Sequence, residues 1–128
     1  MRPDWDHYFV AIAQTVALRA DCRRRQHGCV IVDQDHRIIS TGYNGAVAGD
    51  PGCLAGACPR GLLSYDDVAS LSGYDSGPGK CISVHAEANA LLYARASCKG
   101  ATAYITGQPC PTCHKLLRGA GVERIIWP

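Results

Sequence analysis

Eight cysteines in a chain of 128 residues constrain this sequence more than any other feature. Cysteines at that density serve as disulfides, metal ligands or buried thiols, and the compartment decides between them. The first residues carry Arg2 but also Asp4 and Asp6, and the apolar stretch from Tyr8 to Leu18 is interrupted by Gln14 and Thr15. That is not the basic, apolar, small-residue order of a secretory leader. No run approaches the ~18–20 apolar residues of a membrane span. The expected compartment is the cytoplasm, where thiols stay reduced and clustered cysteines more often hold metal.

The arrangement of the cysteines sharpens this. Two sit in Pro109-Cys110-Pro111-Thr112-Cys113, and upstream lies His85-Ala86-Glu87; each element opens a predicted helix. One imidazole and two thiolates supply three protein ligands and leave the fourth position of a tetrahedral zinc open for water, the pattern of a catalytic metal. Glu87 is not needed as a ligand. It stands in the first helical turn, where a carboxylate can take the proton of an activated water and deliver it to a leaving group. Both helix N-termini also direct partial positive charge at the site. Two other readings stay open at this point. A Cys-x-x-Cys pair can be redox-active, although the rest of a thioredoxin-like pattern is absent, and His114 beside Cys113 could close a purely structural site.

Periodicity along the chain gives the fold class. Trp5, Tyr8, Phe9, Ile12 and Val16 recur at spacings of three and four, which predicts an amphipathic helix from about Asp4 to Ala20. A β-branched run at Cys29 to Val32, a turn at Asp33 to His36 and a return at Arg37 to Thr41 read as a hairpin. A helix at about Val84 to Ala96, a strand at Ala101 to Thr106, a helix at Pro111 to Arg118 and a strand at Val122 to Trp127 complete the chain. The order α-β-β-α-β-α-β implies an α/β fold, a mixed central sheet flanked by helices, with a crossover joining the last two strands. Glycine and proline concentrate between Gly42 and Lys80, where no periodicity is sustained. An irregular stretch that long is functional, disordered or pinned by something other than a core, and Cys53, Cys58 and Cys81 in and beside it suggest a pin. The expected organisation is a single domain, residues 1–128, with a Gly/Pro/Cys-rich insert at about 46–80. With a net charge of only +2 and 19% charged residues, no cationic surface for long nucleic acid is evident, and a small substrate fits better.

These residues resemble a known family. His-x-Glu with Pro-Cys-x-x-Cys is the general signature of zinc nucleobase deaminases. Trp5-Asp6-His7-Tyr8-Phe9, Cys22-Arg23-Arg24, Thr41-Gly42-Tyr43-Asn44-Gly45, Cys53, Cys58, Cys81, His85-Ala86-Glu87-Ala88-Asn89-Ala90 and Gln108-Pro109-Cys110 are similar to the bacterial and phage deoxycytidylate (dCMP) deaminases of the cytidine deaminase superfamily. The resemblance spans nearly the whole chain. It implies the cytidine deaminase-like fold and hydrolytic deamination of dCMP to dUMP, with a zinc-activated water attacking C4 while Glu87 protonates N3 and then the leaving ammonia. His85, Cys110 and Cys113 would hold the catalytic zinc. Asn44 would contact the nucleotide sugar, with Tyr43 and Gln108 in pocket-forming segments, although Tyr-Asn-Gly is also good turn chemistry by itself.

The same resemblance implies a second, structural zinc on Cys22, Cys53, Cys58 and Cys81, against the alternative of unliganded thiols. Cys29 and Cys98 read as packing residues. Arg23 and Arg24, in the run that ends at Arg25, suit a phosphate, or else a solvated cationic helix end. Relatives of this type are commonly homo-oligomers regulated by dCTP and dTTP. His27, Cys29, Ala88 and His114 depart from the usual family residues, and Trp127-Pro128 follow directly on the last predicted strand, where relatives usually continue. A nucleoside, modified dCMP or tRNA deaminase, or a non-catalytic zinc module that senses nucleotides, are the rival classes. The retained Glu87 argues against the last, because a structural site has no use for a proton shuttle.

Overall fold

The computed structural model describes residues 1–64, 74 and 78–128. The parts of the expected insert at 65–73 and 75–77 lie outside the described residues. Three α-helices, α1 (Trp5–Ala17), α2 (Ala86–Leu92) and α3 (Pro111–Gly119), and four strands, β1 (Gly28–Val32), β2 (Ile38–Tyr43), β3 (Thr102–Ile105) and β4 (Arg124–Ile126), follow one another in the predicted order. Two short 3₁₀ turns, Cys53–Ala55 and Arg60–Leu62, lie in the insert.

The sheet order is β2-β1-β3-β4. β1 runs antiparallel to β2 and β3, while β3 and β4 are parallel across α3, as a crossover connection requires. All five residues of β1 are buried, because both faces of this central strand are covered. Cys29 and Ile31 join Ala86, Ala90, Ala103, Ile105 and Leu117 under α2 and α3. Val30 and Val32 join Phe9, Ala13 and Tyr104 under α1. The result is three layers, helix, sheet and helices, in which each fully buried Ile, Leu, Val or Phe contributes about 1.5–3 kcal/mol. No helix among the described residues is long and apolar enough to cross a membrane.

The elements are shorter than the periodicity suggested. α1 ends at Ala17, not Ala20, and its buried residues are Phe9, Ala13 and Ala17. Trp5 and Tyr8, assigned to the buried stripe from spacing alone, are about half exposed, and Trp5 instead stacks on His36 at the hairpin turn with ring centroids 4.1 Å apart. α2 starts at Ala86 rather than Val84 because Val84 pairs with Gly45 and His85 stays extended as the N-cap. β2 runs two residues beyond Thr41, which carries Tyr43 to the end of the sheet near the site.

One polar link fastens α1 to the sheet. Tyr104, buried on β3, donates its phenol to Asp6 at 2.8 Å, and Arg124 of β4 donates to the other Asp6 oxygen at 3.0 Å. The phenol hydrogen bond, with Arg124 behind it, holds the Asp6 carboxyl below its ordinary value. Burial first, and then Asp6, pushes Tyr104 up to about 12. Its folded value is raised, so its stabilisation is fully present below pH 10 and is lost as the pH rises from 10 toward 12. Asp6 works in the opposite sense, losing its contribution as the pH falls through its lowered value. We expect Tyr104→Phe to flatten the fall in unfolding free energy between pH 10 and about 12, measured by urea titration across that range. The same slope in wild type and variant would rule the link out as its source.

Candidate metal centre

The ends of β1, β2 and β3 that carry Gly28, Tyr43 and Ile105 lie at one end of the sheet, since Gly28 pairs with Tyr43 and Cys29 with Ile105. Both remaining helices start there. His85 is the N-cap of α2 with φ −66° and ψ 154°, and Cys110 is the N-cap of α3 with φ −68° and ψ 161°. In this extended conformation a side chain folds back over the first turn of the helix it precedes. Cys110 Sγ accordingly accepts the Cys113 N–H at 3.4 Å, and Pro111 occupies the first helical position, where its missing N–H costs nothing.

His85 Nδ1 lies 3.3 Å from Cys113 Sγ and 3.5 Å from Cys110 Sγ. A tetrahedral zinc, with Zn–S about 2.3 Å and Zn–N about 2.05 Å, sets sulfur and nitrogen about 3.5 Å apart, so these three atoms fit one ion. Among the described residues they form the group of potential ligand atoms that all lie within 4.8 Å of one another. His114 is exposed and outside that group, which removes it as the closing fourth ligand. Glu87 is 5% exposed, in the first turn of α2. Burial first, and then the neighbouring Glu87 carboxylate, drives the Cys113 thiol far above its ordinary value. A cation at this place would offset that cost and let Cys113 bind as the thiolate.

The predicted substrate residues occupy the rim. Asn44 is buried; its Nδ2 donates to the Arg25 carbonyl at 2.9 Å and its Oδ1 accepts the His27 N–H at 2.8 Å, so its amide shapes the 21–27 segment. Tyr43, Gln108 and Arg23 are exposed. Arg24 Nε donates to the Arg60 carbonyl at 3.0 Å, and its Nη2 donates to that of Leu63, so this guanidinium tethers the insert.

Cys22, Cys53, Cys58 and Cys81 come together in one region, although among the described residues they form no set within 4.8 Å of one another. Burial alone would raise the Cys58 thiol, but the N–H groups of Ile82, Gly61 and Arg60 hold it below its ordinary value. The Arg23 N–H donates to Cys53 Sγ at 3.3 Å and the Arg24 N–H to Cys22 Sγ at 3.4 Å. A Cβ at Gly61 would stand 2.5 Å from Cys53 Sγ, so only glycine leaves room for the thiols. All eight cysteines are unpaired.

Residues 3–128 match the sequence family described as the cytidine and deoxycytidylate deaminase zinc-binding region. The chain belongs to this deaminase family. It is 49% identical over 128 residues to the deoxycytidylate deaminase of Mycobacterium phage D29, covering 99% of this chain and 96% of that protein. It is 37% identical to the deoxycytidylate deaminase of Schizosaccharomyces pombe, where it spans 98% of this chain but 37% of the longer yeast protein. Among solved structures, the dCMP deaminase of cyanophage S-TIM5 in complex with dCMP and dUMP has the same fold, with a TM-score of 0.73, 24% identity, and coverage of 99% of this chain and 82% of that one. The cytidine deaminase-like α/β fold expected from sequence is therefore the fold of this chain.

Sequence reading gave no role to several residues that hold the site. Thr106 Oγ1 accepts the Gly28 N–H at 3.1 Å and lies 3.3 Å from His27 Nδ1. Asp21 accepts the Leu54 N–H at 2.8 Å. Asn89 binds the Tyr43 carbonyl at 2.9 Å; an asparagine within an alanine-rich helix was the available signal. We expect Cys110→Ala to lower the zinc content of the purified protein by one ion per chain, read by atomic emission, while the near- and far-ultraviolet dichroism stays close to wild type. Unchanged zinc would mean that these ligands do not hold it.

Proposed function

We propose that this chain is a zinc-dependent dCMP deaminase, converting dCMP and water to dUMP and ammonia. The observation that carries the reading is the meeting of His85 Nδ1, Cys110 Sγ and Cys113 Sγ beside the buried carboxyl group of Glu87. The deoxycytidylate deaminases among its relatives and the fold shared with the cyanophage enzyme support the nucleotide assignment. Bound zinc would supply Lewis acidity, bringing the pKa of a coordinated water toward neutrality. Glu87 takes the proton that the attacking water loses and passes it to N3 of the cytosine; it then takes the remaining hydroxyl proton from the tetrahedral C4 adduct and gives it to the departing amine. Burial keeps that carboxylate away from bulk water, so its proton goes to the substrate. Asn44 contacts the sugar from the end of β2, with Tyr43 and Gln108 on the pocket wall. Phosphate recognition falls to Arg23 more than to Arg24, because the Arg24 guanidinium already serves the Arg60 and Leu63 carbonyls.

The proposal extends to the rest of the chain. Residues 1–128 form one deaminase domain, and a structural zinc on Cys22, Cys53, Cys58 and Cys81 pins the insert at 46–80; the backbone N–H groups that meet the Cys22 and Cys53 sulfurs, and the Cys58 thiol held below its ordinary value, support that site. Cytoplasmic location agrees with eight unpaired cysteines. Homo-oligomeric assembly and control by dCTP and dTTP follow from the family resemblance.

Zinc-loaded protein offered dCMP, CMP, deoxycytidine, cytosine and 5-substituted dCMP, with ammonia release followed, tests the substrate. Turnover of dCMP above the others is expected, and Glu87→Gln should retain zinc while losing ~100- to 10,000-fold in kcat. Turnover of deoxycytidine with dCMP untouched would refute the nucleotide assignment. A separate metal-removal experiment addresses the insert: chelation should accelerate proteolytic cleavage within residues 46–80 of wild type and also of Cys110→Ala, which lacks only the catalytic ion. An insert no more cleavable after chelation counts against the pin.

A further inference from the structure

α2 reads Ala86-Glu87-Ala88-Asn89-Ala90-Leu91-Leu92. Asparagine is a poorer helix former than alanine because its amide competes for backbone hydrogen bonds, so one in mid-helix among three alanines needs a tertiary reason. Asn89 Nδ2 donates to the Tyr43 carbonyl at 2.9 Å and lies 3.4 Å from the Val84 carbonyl. Tyr43 ends β2 immediately before Asn44, and Val84 immediately precedes His85. Val84 and Gly45 are themselves paired in both directions, at 2.7 and 3.1 Å. A single amide therefore ties the catalytic helix to both sides of the junction where the substrate loop meets the zinc ligand.

At Gly42 the contact between α2 and β2 is backbone on backbone, while Ile39 of β2 and Leu91 of α2 pack against the adjoining core. A Cβ at Gly42 would stand 2.3 Å from the Ala86 carbonyl oxygen and 2.4 Å from the Ala90 nitrogen, so backbone lies on backbone there with no side chain interlocked. Such backbone contact gives close dispersion attraction but, being non-directional, resists rotation and sliding of the helix only weakly. A directional hydrogen bond resists both. We infer that Asn89 is a positioning residue: it fixes the rotation of α2, and with it the placement of the Glu87 carboxylate and of His85 Nδ1 relative to the 43–45 loop. It acts through these groups and touches no reacting atom. Its catalytic consequence rests on the deaminase reading above, whereas its effect on the metal does not.

Asn89→Ala is the informative variant, because alanine raises the intrinsic helicity of α2 and removes only the amide. The variant should fold, keep a thermal midpoint near wild type, and release the catalytic zinc to a chelator ~10-fold faster, read as the kinetic phase that Cys110→Ala lacks. In the loaded enzyme kcat should fall ~10- to 100-fold with little change in KM. Adding Asn89→Ala to Glu87→Gln should cost little more, since both act on one proton transfer; a general loss of structure would instead add to it. Asn89→Asp, nearly isosteric but lacking the donors, should behave like Asn89→Ala, and it covers the case in which either variant folds poorly. Zinc release and kcat both within twofold of wild type in a folded variant overturn the proposal, as do fully additive losses with Glu87→Gln. If wild type leaves dCMP untouched, the functional reading has failed, and zinc release alone decides the role of Asn89.

Discussion

The Cys113 thiol is buried against the Glu87 carboxylate, and most of the local architecture answers the electrostatic constraint that this sets. Cys113 and Cys29 are both held strongly protonated, by burial first and by Glu87 next, so without a cation the site stores acids that cannot dissociate together. The chain meets this by building both ligand-bearing segments alike. His85 and Cys110 are N-caps with nearly the same extended dihedral angles, Cys113 follows in the first turn of α3, and each helix turns its N-terminal partial positive charge toward the pocket. A divalent ion then completes what the helix ends begin.

Bringing helices to that end of the sheet requires close contact on both faces. Gly28, at the start of β1, lies so near α1 that a Cβ would stand 2.1 Å from the Ala13 carbonyl oxygen and 2.7 Å from the Ala17 nitrogen. Gly42 does the same for α2 on the opposite face, and the register places it across from Cys29, the residue that follows Gly28. The two glycines make a narrow waist across paired strands. Any larger side chain at either place would push a helix outward by about 1 Å, and at Gly42 the displaced helix is the one that carries Glu87.

How much of this was legible depended on whether the signal was local. His85-Ala86-Glu87 and Cys110 to Cys113 announced the ligands because metal chemistry fixes residue types at short spacing, and the α-β-β-α-β-α-β order followed from alternation and helical period. Trp5 and Tyr8 misled because a helical stripe shows which residues share a face but not where the sheet ends beneath them; at the sheet margin Trp5 found His36 instead of the core. His114, an alternative ligand left open in sequence, is excluded for a related reason. Adjacent to a ligand in sequence, it lies about 100° around the helix from Cys113 and faces solvent. Thr106 and Gly61 matter through partners far away in the chain, so no local pattern could have assigned them, and the asparagine in an alanine-rich helix marked Asn89 without naming its partner.

The segment from Asp21 to His27 explains why an insert with few apolar residues can matter to chemistry. Asp21 holds the Leu54 N–H, the Arg23 N–H meets Cys53 Sγ, and Arg24 reaches the carbonyls of Arg60 and Leu63. Arg60, itself buried, donates to the Gly79 carbonyl at 3.1 Å and lies over the Tyr74 ring at 3.8 Å, passing the connection to the far end of the insert. On its other side the same segment is clasped by Asn44 through Arg25 and His27. Polar links of this kind are directional, so a shift of the insert cannot be absorbed by sliding, as it could in an apolar contact. It must instead move Asn44 or break a hydrogen bond. Order in the insert is thus coupled to the geometry of the rim at which a nucleotide sugar would be held, and a basic run that looks like a phosphate site in sequence is, at Arg24, first a structural strut.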